Sequence, residues 1–255
     1  MHNITLRVGV LATLLLLSRN SMGAPASQQE VNPNSMTTAE LEKAGDEARA
    51  QKDYALAINY LRTAVRKDRK NSSLYNKLGI AELQNDQLGD ARADFEKAAK
   101  YDPKNAEAVN NLGAVDFKEK RYGSAVKYFK KAVALEETRA TFHVNLGAAW
   151  FSQKKVEHAM LEYVRALELD PEALRASSRA GVAAQIASPE ERAQYSYMLA
   201  KIYAARGDME GCLQCLKRAK EDGYRNLGNV YKDQEFAKLR DNPRLQEVVP
   251  PPIAK

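Results

Sequence analysis

From Thr38 to Pro171 the apolar residues follow a helical spacing, and the whole pattern returns every 34 residues without an insertion. Units begin at Thr38, Ser72, Ala106 and Ala140. Their eighth place is Gly45, Gly79, Gly113 and Gly147, their twentieth Ala57, Ala91, Ala125 and Ala159, and their twenty-seventh Ala64, Ala98, Ala132 and Ala166. The twenty-fourth place is bulky: Leu61, Phe95, Phe129 and Tyr163. Glycine inside a helix costs about 1 kcal/mol relative to alanine, so a glycine kept at one helical place needs a packing reason. Small residues let two antiparallel helices approach, and the large side chain fills the space left between them and the next pair. The pattern predicts an all-α array of helical hairpins, the first pair near 38–51 and 54–67.

These residues resemble the tetratricopeptide repeat, a 34-residue helix-turn-helix unit. Leu78-Gly79, Leu112-Gly113 and Leu146-Gly147 carry the likeness on the first helix, and the alanine and aromatic places carry it on the second. Asp102-Pro103 and Asp170-Pro171 close two units, since proline cannot extend the preceding helix. The resemblance covers 38–171 as four tandem repeats and implies a right-handed superhelical solenoid that holds other proteins. Two departures stand out. Units one and three end in Asp68-Arg69 and Glu136-Glu137 without proline, and the eleventh place, often aromatic in the family, holds Glu82 and Asp116. Lys120 follows Asp116 by one turn, which reads as a surface ion pair.

The resemblance also implies a concave face lined by the first helix of each pair. In units two to four its places give a candidate peptide groove of Asn76, Ile80, Leu83, Asn110, Asn111, Phe117, Val144, Asn145 and Phe151, with Gln84, Ala114, Lys118, Ala148 and Ser152 beside them. An amide donates and accepts at once, so a row of asparagines suits the backbone of an extended peptide. Asn111 and Asn145 are one unit apart and resemble the asparagine ladder of some peptide-binding repeats, with Phe117 and Phe151 as the expected anchors. The same amides also read as ordinary solvent-facing residues, and both readings stand. Relatives that clamp a C-terminal carboxylate use Lys and Arg at these places. Glu42 and Asp46 in unit one, with Asn or Thr later, disfavour that clamp.

Outside the array, Arg7, the apolar run Val8–Ser18 and Ala24-Pro25-Ala26 read as a secretory signal peptide over 1–26, so an exported protein without a stable membrane anchor after cleavage is expected. Residues 27–37 form a disordered polar leader with no core to join. After Pro171 an intercalated helix over 172–187 and a turn to 192 precede a fifth, divergent repeat at 193–226. Ser188-Pro189-Glu190-Glu191 starts its first helix, and Gly207-Asp208 turns the chain. Residues 227–255 form a capping tail, with Phe236, Leu239 and Leu245 covering the last pair.

The net charge of +6 falls to +4 once Arg7 and Arg19 leave with the signal segment. Basic clusters at Arg62–Lys70 and Lys118–Lys131 have acids interleaved, which reads as a solvated helix face rather than a nucleic-acid stripe. His143 and His158 stand in different helices without an acidic cluster, and no phosphate loop, nucleophile elbow or metalloprotease motif occurs. Cys212 and Cys215 make one C-x-x-C motif, the basis of an alternative as a thiol-dependent redox or metal-carrying protein. Cys212 fills the small alanine place of the fifth unit, however, which favours packing. The sequence therefore predicts a non-enzymatic scaffold without a cofactor or small-molecule substrate, whose partner is a peptide segment of another protein.

Overall fold

The computed structural model describes residues 32–174 and 188–252. Four helix pairs fill the first stretch: α1 (Thr38–Ala50) with α2 (Tyr54–Lys67), α3 (Ser72–Gln84) with α4 (Leu88–Tyr101), α5 (Ala106–Lys118) with α6 (Tyr122–Leu135), and α7 (Ala140–Ser152) with α8 (Val156–Leu169). A further pair follows, α9 (Pro189–Ala205) and α10 (Met209–Glu221), and the tail carries α11 (Pro243–Val248). Each second helix in the four-pair stretch packs against the first helix of the next pair, so the described chain is an all-α solenoid. The helix expected over 172–187 falls almost entirely outside the described residues, as does the signal segment.

The recurrent small places work by direct contact. A Cβ built on Gly79 would lie 2.7 Å from a ring carbon of Phe95, and one on Gly113 would lie 2.6 Å from a ring carbon of Phe129. The bulky side chain of the second helix therefore rests on bare backbone of the first, and Phe95, Phe129 and Tyr163 are fully buried. The last pair has the same arrangement in another alphabet, with Ala200 facing the pair interior and Leu216, Cys212 and Ala219 fully buried.

Every pair is closed by the same turn. The fifteenth place takes a left-handed backbone at Lys52, Asp86, Lys120, Lys154 and Gly207, with φ of 64°, 63°, 60°, 64° and 76°. The next N–H then donates back to the eleventh-place carbonyl: Asp53 to Ala48, Gln87 to Glu82, Arg121 to Asp116, Lys155 to Trp150 and Asp208 to Tyr203, at 2.8–3.0 Å. That bond ends a helix by satisfying a carbonyl the helix itself leaves open. Asp53 and Asp208 then cap the following helix by accepting from Leu56 N–H and Gly211 N–H.

Both ends of the array are covered. The expected structureless leader is corrected at its end: Pro33–Ser35 form a 3₁₀ turn, Met36 packs on the first core, and Lys67 Nζ donates to the carbonyls of Asn34 and Met36 at 2.9 and 2.7 Å. Thr37 and Glu40 form a capping box at the start of α1. At the other end 3₁₀ turns at Leu227–Tyr231 and Gln234–Phe236, followed by α11, pack against α9 and α10. Val230, Phe236 and Leu245 are fully buried there, and Tyr197 donates to Asp233 at 2.9 Å. Covered on several sides, α9 is buried continuously from Tyr195 to Ala200.

Candidate functional site

The amides of α3, α5 and α7 join into one hydrogen-bonded row. Asn145 Nδ2 donates to Asn110 Oδ1 at 3.0 Å, Asn110 Nδ2 to Asn111 Oδ1 at 3.4 Å, Asn111 Nδ2 to Asn76 Oδ1 at 2.9 Å, and Asn76 Nδ2 to Glu107 Oε2 at 3.3 Å. Asn76 and Asn110 are buried, while Asn111 and Asn145 are half-buried and keep unused donor and acceptor capacity. The rungs join the sixth place of one unit to the fifth of the unit before, a separation of 35 residues. The equivalent rung one unit earlier is ionic, with Lys77 Nζ 2.7 Å from Glu42 and 2.5 Å from Asp46. Sequence reasoning found the amides and missed this pairing, which the period displaced by one residue encodes.

Glu107 was also missed, and it ends the row: Arg139 pairs with it at 2.5 Å and with Glu136 at 2.8 Å. The apolar half of the predicted groove divides. Ile80, Leu83 and Ala114 are half-buried and remain at the surface. Phe117, Val144 and Phe151 are only 4%, 2% and 3% exposed, so the expected aromatic anchors are corrected to interior residues. Phe117 packs on Tyr122 at 5.1 Å and on the Ala148 and Ala149 face of the next unit. Phe151 meets Tyr195 edge-on at 5.3 Å. The twelfth place points at the next first helix, and that helix covers the ring. Lys118 lies along this face, 2.7 Å from Asp86.

The eleventh-place acids are a second correction. Asp116 is 1% exposed, and its partners are Arg92 at 2.6 Å and Arg121 at 2.8 Å rather than Lys120. Glu82 is equally buried and takes Arg62 at 2.9 Å. His143 is buried with both ring nitrogens engaged, 2.8 Å from Glu162 and 2.9 Å from the Glu137 carbonyl, which makes it a strut between α7 and α8. His158 lies against the Trp150 ring at 5.0 Å. Cys212 and Cys215 are both buried and form no disulfide, and burial pushes the Cys212 thiol up to about 12, the opposite of what a reactive thiolate requires. Among the described residues no group of three or more His, Cys, Asp or Glu side chains is placed to hold a metal, and no described helix is long and apolar enough to cross a membrane.

The likeness to known structures follows the same lines. A crystal structure of MamA protein has 21% identity over 77% of this chain and 95% of its own, with a TM-score of 0.50. Residues 41 to the end of MamA from Desulfovibrio magneticus RS-1 give 19% identity over 72% and 93%, with a TM-score of 0.51. TTC0263, described as a thermophilic tetratricopeptide protein of Thermus thermophilus, gives 15% identity over 79% and 98%, with a TM-score of 0.52. These likenesses concern the fold. No curated protein matches the chain. The family profile described as "Tetratricopeptide repeat" matches residues 42–93, 76–140 and 117–174, overlapping stretches that together span more than half of the sequence. With the hairpins, the shared turn and the glycine-to-ring contacts in place, the chain belongs to the tetratricopeptide repeat family.

Proposed function

We propose that this protein is an interaction scaffold that holds a peptide segment of a partner along the inner face of its second to fourth units. Tetratricopeptide proteins generally mediate protein–protein interaction. The observation that carries the finer reading is the amide row with apolar Ile80, Leu83 and Ala114 beside it. The mutual bonds fix the amides in orientation, and the half-buried Asn111 and Asn145 still offer groups to a peptide main chain. A row held rigid in advance loses little freedom when a ligand arrives. The apolar N-terminal run supports export as the setting, and recovery of a shortened chain from an exported fraction would bear this out.

The test begins with a photo-crosslinking side chain at Gln84, which is exposed beside the groove, and another at Leu161 on α8 as a control. A peptide captured from Gln84 and absent from Leu161 is then measured for affinity. Asn111→Ala with Asn145→Ala, and Ile80→Ala with Leu83→Ala, are each expected to weaken it by about 1–3 kcal/mol with helicity retained. Unchanged affinity in both double variants places the contact elsewhere.

A further inference from the structure

A cleft of about 450 Å³ lies on the outer side of the first two units, between α2 and α4 and above α3. Glu82 lines its floor. One oxygen of that carboxylate takes Arg62, while Oε2 is buried without a hydrogen-bond partner. Asp94 stands nearby, 7% exposed and bonded by Lys97 at 2.7 Å. The rim is formed by Arg62 and Arg66 on α2 and by Arg69 just past its end. Among the described residues Arg66 bonds only the Thr63 hydroxyl, at 2.9 Å, and Arg69 makes no side-chain bond or ion pair. Asp90 at the mouth is the remaining acid.

The eleventh place supplies the acid on the floor of the cleft. Trp150 and Tyr203 put a ring there in the later units, whereas Glu82 is shorter. Asp116 has the same place in unit three, but Arg92 and Arg121 both fold onto it. The residue matching Arg121 one unit earlier is Gln87, so Glu82 keeps a single arginine.

We propose that this cleft is a second binding site, separate from the groove, for a short acidic segment of a partner protein. The partner's carboxylates pair with Arg66 and Arg69, and a backbone N–H of the segment supplies the donor that the ionised Glu82 Oε2 lacks. Arginine forks match carboxylates with two parallel bonds, and a buried acceptor requires a donor. A peptide brings both groups. A phosphodiester backbone brings anions without a donor for Glu82 Oε2. Since Arg62 and Lys97 are already neutralised by Glu82 and Asp94, the free positive charge is that of Arg66 and Arg69, which suits a short segment.

The experiment is fluorescence anisotropy of the full chain with a labelled Glu-rich peptide and its Gln-substituted counterpart, at low and raised salt and at a pH where Glu82 is ionised. The Glu peptide is expected to bind, the Gln peptide to fail, and affinity to fall with salt. Arg66→Glu with Arg69→Glu should weaken binding at least about tenfold. Both arginines are exposed, so circular dichroism should be unaltered. Asn111→Ala with Asn145→Ala should leave this affinity unchanged, which separates the cleft from the groove. The proposal is overturned by absence of binding at low salt, by equal binding of the Gln peptide, or by unchanged affinity in the charge-reversed variant. Displacement of the peptide by inorganic phosphate or a single-stranded oligonucleotide at lower concentration than by unlabelled peptide also overturns it, in favour of a general oxyanion site.

Discussion

Glu82 and Asp116 occupy one place in successive units, and their surroundings send them in opposite directions. Burial and the neighbouring Asp94 carboxylate push Glu82 up to about 7, against the pull of Arg62. Burial acts the same way on Asp116, but bonds from Ser124, Arg121 and Arg92 outweigh it and hold that carboxyl below its ordinary value. Between its ordinary value of 4.5 and about 7, Glu82 keeps a proton in the folded chain that the unfolded chain releases. The folded state therefore binds more protons there, and stability falls as pH rises through that window. Glu82→Gln removes this dependence. Denaturant unfolding of both proteins should show the variant gaining on the wild type as pH rises from about 4.5 to about 7, and equal slopes would refute the assignment. The acids were legible in the sequence, but their partners were not. Lys120 is one turn from Asp116 on paper, yet its φ of 60° places it in the turn, while Arg92 arrives from the previous unit.

At the scale of one helical hairpin, four of the five turns put a residue with a Cβ into a backbone conformation that glycine adopts without strain. Gly207-Asp208 announced this in sequence and Asn85-Asp86 did so more weakly, whereas Lys52, Lys120 and Lys154 carry no turn signal of their own. The register supplies it, since all five stand at the fifteenth place of their units. Lys120→Gly should stabilise the array by about 1 kcal/mol, and Gly207→Lys should destabilise it by a similar amount. Thermal unfolding followed by circular dichroism reads both. A loss of stability in Lys120→Gly would show that the lysine side chain contributes more than the turn costs.

Across the whole molecule the end of the chain belongs to the array's core. A single cluster of buried residues runs from Val144 in α7 through α9 and α10 to Val249. A chain ending at Asn226 should expose Tyr197 and lose the contacts of Val230, Phe236 and Leu245. Because each unit of a repeat array contacts chiefly its neighbours, the damage should stay local. Hydrogen exchange is expected to show lost protection in α9 and α10, with α1 to α6 unchanged. Unaltered protection of α9 would mean that the tail adds no stability, and collapse of the entire array would mean that the units are coupled more tightly than neighbour contacts imply.

The amino-acid sequence by itself determined the hairpins, their number of residues and their phase, because close helix contact demands a glycine or alanine opposite a large side chain and that demand recurs in one dimension. It also named the asparagines. Which way they face was decided in three dimensions: Asn76 and Asn110 turn toward the next unit, and each rung needs two helices placed side by side. The same stacking buried Phe117 and Phe151, whose spacing on an isolated helix is that of an exposed stripe, and it brought Arg62 onto Glu82 from another helix. Contacts within a helix follow from the period of the chain. Contacts between units depend on how one helix pair rests on the next, so burial, ion-pair partners and the outer cleft emerge only when the array is assembled.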